Sequence, residues 1–436
     1  MLSFIKKILL WDKIWFPLLS HTPIISWRYI LKWFVAKNIL YGDVSKGMII
    51  VGITGTDGKT TTCNILHKVI SDNLGKCAMI STAGLKIWNT QISNETKKTS
   101  LDILDLYKFL SQAKAENCQY VVIEASSHGL EQYRFWWVDF NIWALTNITA
   151  EHMDYHRNIQ EYANTKKKLF TGILSGPNHP KMAVFPKDDD FGRKWSEELL
   201  FDKSMDYWIK NSAAIRAENI KIQINKTEYD IKYLWVNYPI VTNLLWEFNI
   251  YNALAATSIG LLLGIEINNI IKSISSFESV NGRMNIYINQ DITYIVDFAH
   301  TPKAFESLLT FANNVKWYGR LIVVFGSAWR WWEYKRPQMW NLADQLADIV
   351  IVTEDDSMSE NTDNIIKQIT KWITRNLGDK YHIINSRPLA IQMSTNIAEP
   401  SDIVLIVGKG HENYLYTNFG KFPHNDMDYL KSIFGK

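Results

Sequence analysis

The segment Gly52-Ile-Thr-Gly-Thr-Asp-Gly-Lys-Thr-Thr61 has the residue types of a phosphate cradle. It follows the apolar run Met48–Val51 and precedes a helix-spaced set, Ile65, Leu66, Val69 and Ile70. A strand, a glycine-rich turn and a helix start aim backbone N–H groups and the positive end of a helix dipole at an anion. Gly55, Thr56, Asp57, Gly58 and Thr61 belong to that turn, Lys59 adds a point charge for the β- and γ-phosphates, and the Thr60 hydroxyl can ligate Mg²⁺. Ile53 stands where the strict P-loop pattern has its first glycine, so the turn needs support from downstream residues.

That support comes from four further strand ends. Val121-Val-Ile-Glu-Ala-Ser-Ser-His-Gly-Leu130 closes an apolar run with an acid, and an acid at such a place holds Mg²⁺ directly or through water in phosphoryl-transfer folds. Glu124 is the candidate, against the blander reading of a solvated carboxylate. Leu145-Thr-Asn-Ile-Thr-Ala-Glu-His-Met-Asp-Tyr-His156 offers His152 for a second Mg²⁺, and Lys166 opens a three-lysine run on an expected helix. Tyr294-Ile-Val-Asp-Phe-Ala-His-Thr-Pro302 ends a strand on Asp297 and starts a helix with proline, which suits a ribose or adenine edge. Ile403-Val-Leu-Ile-Val-Gly-Lys-Gly-His-Glu412 runs a strand into a glycine turn.

The elements that must hold these groups follow from hydropathy. Apolar, β-branched runs recur at 77–82, 119–125, 141–148, 181–186, 292–299, 320–328, 348–354 and 402–408. Most are separated by helix-length segments, the pattern of a parallel α/β sheet. Alternation over 216–236 predicts antiparallel strands, and 251–263 reads as a helix. Asn281-Gly282-Arg283 marks a boundary. The expected organisation is α/β throughout: a short basic amphipathic segment (1–48), a P-loop central ATP-binding domain with a parallel-rich sheet (49–282), and a C-terminal Rossmann-like α/β domain (283–436).

The bulk composition sets bounds. The chain has 436 residues, 47% hydrophobic and 21% charged, enough for two or three domains with cores. A net charge of +3 gives no case for nucleic acid. Three cysteines without metal or redox spacing suggest a reducing, cytoplasmic setting. The first 48 residues hold seven basic side chains against two acidic ones, but no run long enough to span a membrane. Packing against the ATP-binding domain is favoured there over contact with a membrane surface.

Taken in order, GITGTDGKTTT, EASSHGLEQYR, LTNITAEHMDYH, EYANTKKKLF, EFNIYNALAA, GRM, DFAHTP, KRPQM and GKGHE resemble the Mur ligase family over roughly 48–426. The resemblance is strongest to the branch that adds the third residue of the muramoyl peptide. It implies an ATP- and Mg²⁺-dependent amide ligase, a monomer, acting on UDP-N-acetylmuramoyl-L-Ala-D-Glu and a free amino acid through an acyl phosphate. By motif, Lys59 and Thr60 hold phosphate and metal, and Glu124 and His152 are metal ligands. Lys166 is the lysine the family carbamylates, making it an anionic metal ligand. Asn249, Asn252, Arg283 and Asp297 contact ATP; Thr99, Ser127 and Arg134 hold the muramoyl peptide; Arg336, Gly408 and Glu412 line the amino-acid pocket.

Three departures stand out. Only 48 residues precede the first strand, fewer than the family's UDP-gripping domain, so UDP is expected to be held by a reduced element. Met358 stands where diaminopimelate-adding members place an arginine, and Asp355 and Asp356 beside it favour a cationic substrate side chain. Tryptophan, 18 against only 21 glycines, occupies glycine-like positions at Trp137, Trp208, Trp246, Trp329, Trp340 and Trp372, the expected trace of UGA codons meant as glycine. Two competing readings remain: a same-fold ligase for another carboxylate, of folylpolyglutamate type, and a non-catalytic ATP-binding partner. The joint presence of Lys59, Glu124, His152 and Lys166 argues against the second.

Overall fold

The computed structural model describes residues 23–92, 99–135, 138–149, 158–174, 180–210, 213–223, 225–316, 318–329, 335–371, 378 and 380–435. Contacts divide it into two compact units, Met1–Ile222 with Lys226–Phe277, and Glu278–Lys436 with Gln223–Asn225. The division falls a few residues before the expected 282.

In the first unit the strands are β1 (Ile49–Thr54), β2 (Cys77–Ser81), β3 (Gly84–Ile87), β4 (Thr90–Ile92), β5 (Tyr120–Glu124), β6 (Ile142–Leu145), β7 (Met182–Pro186), β8 (Lys203–Trp208), β9 (Ile215–Ile222), β10 (Thr227–Tyr233) and β11 (Val236–Thr242). They form one sheet in the order β11-β10-β9-β8-β7-β6-β1-β5-β2-β3-β4. Its middle, from β2 through β5, β1, β6 and β7 to β8, is parallel. Both edges turn antiparallel. The central strands are buried on both faces, which is why they read as unbroken apolar runs. Ile50, Ile80, Val121, Ile123 and Leu145 join one core with Leu106, Leu110, Phe170 and Trp195 from the helices Ile103–Ala115, Ile159–Leu174 and Asp190–Glu198. Helices Lys59–Asn73 and Glu247–Leu262 also pack against this sheet and against each other.

The N-terminal helix Pro23–Val35 belongs to this unit. Tyr29, Ala36, Val44 and Met48 enter the same core. Buried Lys32 pairs with Asp102, the N-cap of helix Ile103–Ala115, at 2.9 Å, and the Tyr29 hydroxyl donates to Gln132 at 3.2 Å. Among the described residues no helix is long and apolar enough to cross a membrane.

The second unit holds β12 (Asn285–Asn289), β13 (Ile292–Asp297), β14 (Leu321–Phe325), β15 (Ile349–Val352), β16 (Tyr381–Ile383) and β17 (Ile403–Val407) in the order β12-β13-β17-β14-β15-β16, parallel except for β12. A separate hairpin pairs β18 (Tyr414–Thr417) with β19 (Gly420–Pro423). Helix Pro302–Val315 starts as expected, with Pro302 in its first turn and Thr301 accepting from the Ala304 amide at 3.2 Å. All eight apolar runs read from the sequence contain strands of this α/β fold.

Two expectations need correction. The helix expected from 251 begins at Glu247, so Asn249 lies inside it. Of the six suspected tryptophans, only Trp246 takes left-handed backbone, with φ +80; Trp208, Trp329 and Trp340 do not, and Trp137 and Trp372 lie outside the described residues.

Buried His67, on helix Lys59–Asn73, has Nε2 3.2 Å from the Cys77 carbonyl oxygen. Burial, helped by the Lys86 charge, lowers its pKa from 6.5 to about 4. Between those values the unfolded chain binds a proton that the native ring does not, so stability falls as pH drops through this window and is recovered above it. The full loss is about 3 kcal/mol at ~1.4 kcal/mol per pH unit. Urea midpoints are therefore expected to fall from pH 7 to pH ~4.5, and His67→Gln to flatten that fall. An equal slope in the variant would remove His67 as its source.

Candidate active site

Gly52 is not part of the phosphate cradle. It pairs in register with Trp143 on β6, and a Cβ there would fall 2.0 Å from the indole, so it is the gap that admits a large ring. The cradle itself begins at Gly55. A Cβ on Gly58, φ +81, would sit 2.1 Å from Asn252 Oδ1, so only glycine brings the turn this close to helix Glu247–Leu262. The turn is held by the two residues just past β6: the Thr56 amide donates to the Asn147 carbonyl at 2.8 Å, the Asp57 amide to Asn147 Oδ1 at 2.9 Å, and Thr146 Oγ1 to the Asp57 carbonyl at 2.6 Å. Lys59 Nζ folds back onto the Gly55 and Thr56 carbonyls at 3.0 and 2.5 Å.

Glu124 ends β5 beside this turn and is 1% exposed. Thr60 Oγ1 lies 3.0 Å from both its carboxylate oxygens. Thr82, just past β2, donates its amide to Oε2 at 2.7 Å and its hydroxyl to Oε1 at 3.0 Å. Among the described residues no lysine or arginine makes an ion pair with Glu124. A buried carboxylate with only hydroxyl and amide partners is costly unless a cation compensates it. Hard oxygen donors from one carboxylate and one hydroxyl suit Mg²⁺, which takes its remaining ligands from water and phosphate. The site therefore fits the metal that the motif implies. Thr82 was not singled out in the sequence; a hydroxyl at a strand end next to Ser81 and Gly84 carries no distinguishing signal.

Lys166, from helix Ile159–Leu174, is 1% exposed, whereas Lys168 is exposed. Its Nζ donates to the Gly55 carbonyl at 2.6 Å and lies 4.5 Å from the Tyr162 ring centroid. The lysine run thus divides between the phosphate turn and solvent. Asn249 and Asn252 join the same turn through a chain: Thr62 Oγ1 donates to Asn252 Oδ1 at 3.2 Å, and Asn252 Nδ2 to Asn249 Oδ1 at 3.0 Å. His152 lies outside the described residues.

Thr99, Ser127 and Arg134 gather around Ser100 and Ser126 at the edge of this cluster. Thr99 Oγ1 lies 3.1 Å from Thr82 Oγ1, Ser126 caps the short helix Ser127–Glu131 and meets Ser100 Oγ at 2.9 Å, and Arg134 donates to the Ser100 carbonyl at 2.5 Å.

The second unit brings together the ends of β13 and β17. Asp297 accepts from the Met284 and Ala299 amides, each at 2.7 Å, and the Gly408 amide donates to its carbonyl at 3.1 Å. Burial raises the Asp297 pKa against the opposing pull of Arg283 and these amides. The Arg283 guanidinium stacks 4.8 Å from the Phe298 ring, and its buried Nε has no hydrogen-bond partner. An unpartnered guanidinium N–H beside a strand-end acid is a fitting place for a nucleotide oxygen.

Around the second glycine turn, Lys409 is fully buried among carboxylates: Asp356 at 2.7 Å, Glu412 at 2.5 Å and Asp355 at 4.0 Å. Its pKa is raised despite burial because those acids outweigh desolvation, whereas burial raises the pKa of Asp355. Asp355 and Asp356 are therefore not open acids but share an ammonium. Arg336, expected at an amino-acid pocket, is fully buried and held bidentately by Glu360 at 3.0 and 2.9 Å, with Gln368 as a further acceptor. Neither Lys409 nor Glu360 was anticipated as a partner.

Two family descriptions match in succession: the Mur ligase middle domain over residues 53–260, and the Mur ligase glutamate ligase domain over 282–410. The chain is 35% identical over 392 residues to UDP-N-acetylmuramyl-tripeptide synthetase 2 of Oceanobacillus iheyensis, covering 88% of this chain and 77% of that one. It is 32% identical over 399 residues to UDP-N-acetylmuramoyl-L-alanyl-D-glutamate–2,6-diaminopimelate ligase of Fusobacterium nucleatum, with 91% and 79% covered. A solved structure of a ligase of that last name superposes with a TM-score of 0.63 at 27% identity, over 94% of this chain and 81% of the other. With the phosphate turn, the buried Glu124 and both domain matches in one order along the sequence, the chain belongs to the Mur ligase family of ATP-dependent ligases.

Proposed function

We propose that this ligase adds the third amino acid to UDP-N-acetylmuramoyl-L-Ala-D-Glu in peptidoglycan precursor synthesis, in the cytoplasm. The observation that carries the reading is the buried Glu124 carboxylate, bonded to Thr60 of the phosphate turn and without an ammonium or guanidinium partner among the described residues. The printed names of the tripeptide synthetase and diaminopimelate ligase relatives support the same step.

In this reading the Gly55–Thr61 amides and Lys59 bind the ATP phosphates, and Thr60, Glu124, His152 and carbamylated Lys166 hold Mg²⁺. Bound there, Mg²⁺ neutralises charge on the phosphate oxygens. By the family's motifs, Asn249, Asn252, Arg283 and Asp297 contact ATP. Thr99, Ser127 and Arg134 orient the muramoyl peptide so that its terminal carboxylate oxygen attacks the γ-phosphorus and ADP leaves. The amine of the incoming residue then attacks the acyl carbon, losing a proton as phosphate departs. Positioning supplies most of the acceleration, because the carboxylate and phosphate are otherwise mutually repelling anions.

Arg336, Asp355, Asp356, Gly408 and Glu412 surround the incoming amino acid. One ammonium, Lys409, faces three carboxylates, and the nearby Arg387 is neutralised by Asp426 at 2.7 Å. The cluster therefore keeps negative charge, and Met358 offers no guanidinium to a second carboxylate. A residue with a cationic side chain, lysine rather than diaminopimelate, is the favoured substrate. Mass-resolved ligation with ATP, Mg²⁺, the UDP-muramoyl dipeptide and a panel of amino acids tests both parts. A one-residue mass gain with lysine and ADP release is expected. A gain only with diaminopimelate would overturn the specificity, and no gain with any amino acid despite ATP binding would overturn the step.

A further inference from the structure

Twelve described non-glycine residues take left-handed backbone, and three of them are tryptophan: Trp88 at φ +54, Trp235 at φ +68 and Trp246 at φ +80. Tryptophan thus outnumbers asparagine, the side chain best suited to that region after glycine. Each of the three also sits in a slot with its own demand for glycine.

β3 and β4 pair Ile87 with Thr90, leaving the two-residue loop Trp88-Asn89 with positive φ at its first position only. That is the type II′ pattern, whose first loop residue is glycine. β10 and β11 pair Tyr233 with Val236, leaving Leu234-Trp235 with positive φ at both positions, a type I′ loop whose second residue is typically glycine. The Trp235 ring is 92% exposed, so no packing offsets its backbone. At Trp246 φ is +80 and ψ 151, a region essentially confined to glycine. This residue is the N-cap of the helix carrying Asn249 and Asn252, and its carbonyl accepts from the Asn249 amide at 3.1 Å. By contrast Trp195 falls on the apolar stripe of its helix with Phe191 and packs on Phe170, 2% exposed, with nothing glycine-like about it.

We infer that positions 88, 235 and 246 are glycine in the native protein, encoded by UGA triplets read as glycine in its own cell, and that glycine at 246 positions the two asparagines beside the phosphate turn. UGA is read as tryptophan in some genetic codes and differs from the glycine codon GGA by one base, so one message yields either residue according to the decoding. Positions 88 and 235 shape hairpins and act on folding; position 246 acts on the site.

Four readouts test this. The gene is expected to carry UGA at all three positions, and UGG at any of them overturns the inference there. Peptide mass spectrometry of protein from its own cells is expected to give glycine masses; tryptophan masses overturn it outright. The full chain with Trp88→Gly, Trp235→Gly and Trp246→Gly is expected to melt roughly 5 °C or more above the chain as written, or to be soluble where that chain is not. Trp195→Gly is expected to melt below it. A triple variant no more stable than the chain as written counts against the inference. Only the last readout rests on the ligase reading: Trp246→Gly alone is expected to tighten MgATP binding about tenfold by calorimetry. Unchanged ATP affinity with a raised melting temperature would overturn the positioning role while leaving the glycine assignment standing.

Discussion

Glu124→Gln is expected to lower kcat by at least about a hundredfold, the several kcal/mol that a catalytic metal supplies. The melting temperature should stay within a few degrees or rise. The two effects separate because of what surrounds the carboxylate. Thr60 and Thr82 provide three donor groups to it, but none carries a charge. In the absence of metal the anion is held by dipoles alone, and removing such a buried charge while keeping the side chain's shape relieves a desolvation cost. With Mg²⁺ and nucleotide present, the same charge would be what holds the metal beside Thr60. Titrating Mg²⁺ at saturating ATP distinguishes the roles, since the variant should need far more metal for its residual rate. If Glu124→Gln keeps kcat within threefold and the same Mg²⁺ dependence, the carboxylate only ties Thr60 to Thr82.

Glu124 could be found from sequence because its signal is local: an acid ends a five-residue strand that is otherwise apolar, and such runs mark strands buried on both faces. Thr82 could not, because it reaches Glu124 through the β2–β5 pairing, forty-two residues away in the chain. The same limit hid the Glu360 clamp on Arg336 and the sharing of Lys409 between acids, so both regions looked like open charge. Strands β3, β4, β8 and β16 are short or half exposed, and hydropathy alone did not mark them. Strand order is non-local throughout: β17 enters between β13 and β14 although it comes last of the six. The start of helix Glu247–Leu262 was missed for a different reason. Tryptophan at 246 erases the cap signal that glycine or a short polar residue would have given.

Lys166 makes the sharper test of mechanism, because its charge in the working enzyme is in question. Its ammonium is buried against the Gly55 carbonyl and the Tyr162 ring, at the phosphate turn. As a cation it would act on the phosphates directly, beside Lys59. As a carbamate, formed when the neutral amine adds CO₂ and loses a proton, it would present two anionic oxygens to Mg²⁺. The two possibilities predict opposite substitution patterns. Lys166→Ala is expected to lower kcat by about a thousandfold, at the upper end for a group stabilising transition-state charge. If the carbamate is the working form, Lys166→Arg should be as impaired as alanine. Lys166→Glu, or Lys166→Ala supplied with a short-chain carboxylate, should then recover part of the rate. The unmodified enzyme should lose activity in CO₂-free buffer and regain it with bicarbonate. Activity retained in Lys166→Arg, together with indifference to CO₂, would instead assign the positive charge itself to the phosphates, leaving Glu124 and Thr60 as the metal's ligands among the described residues.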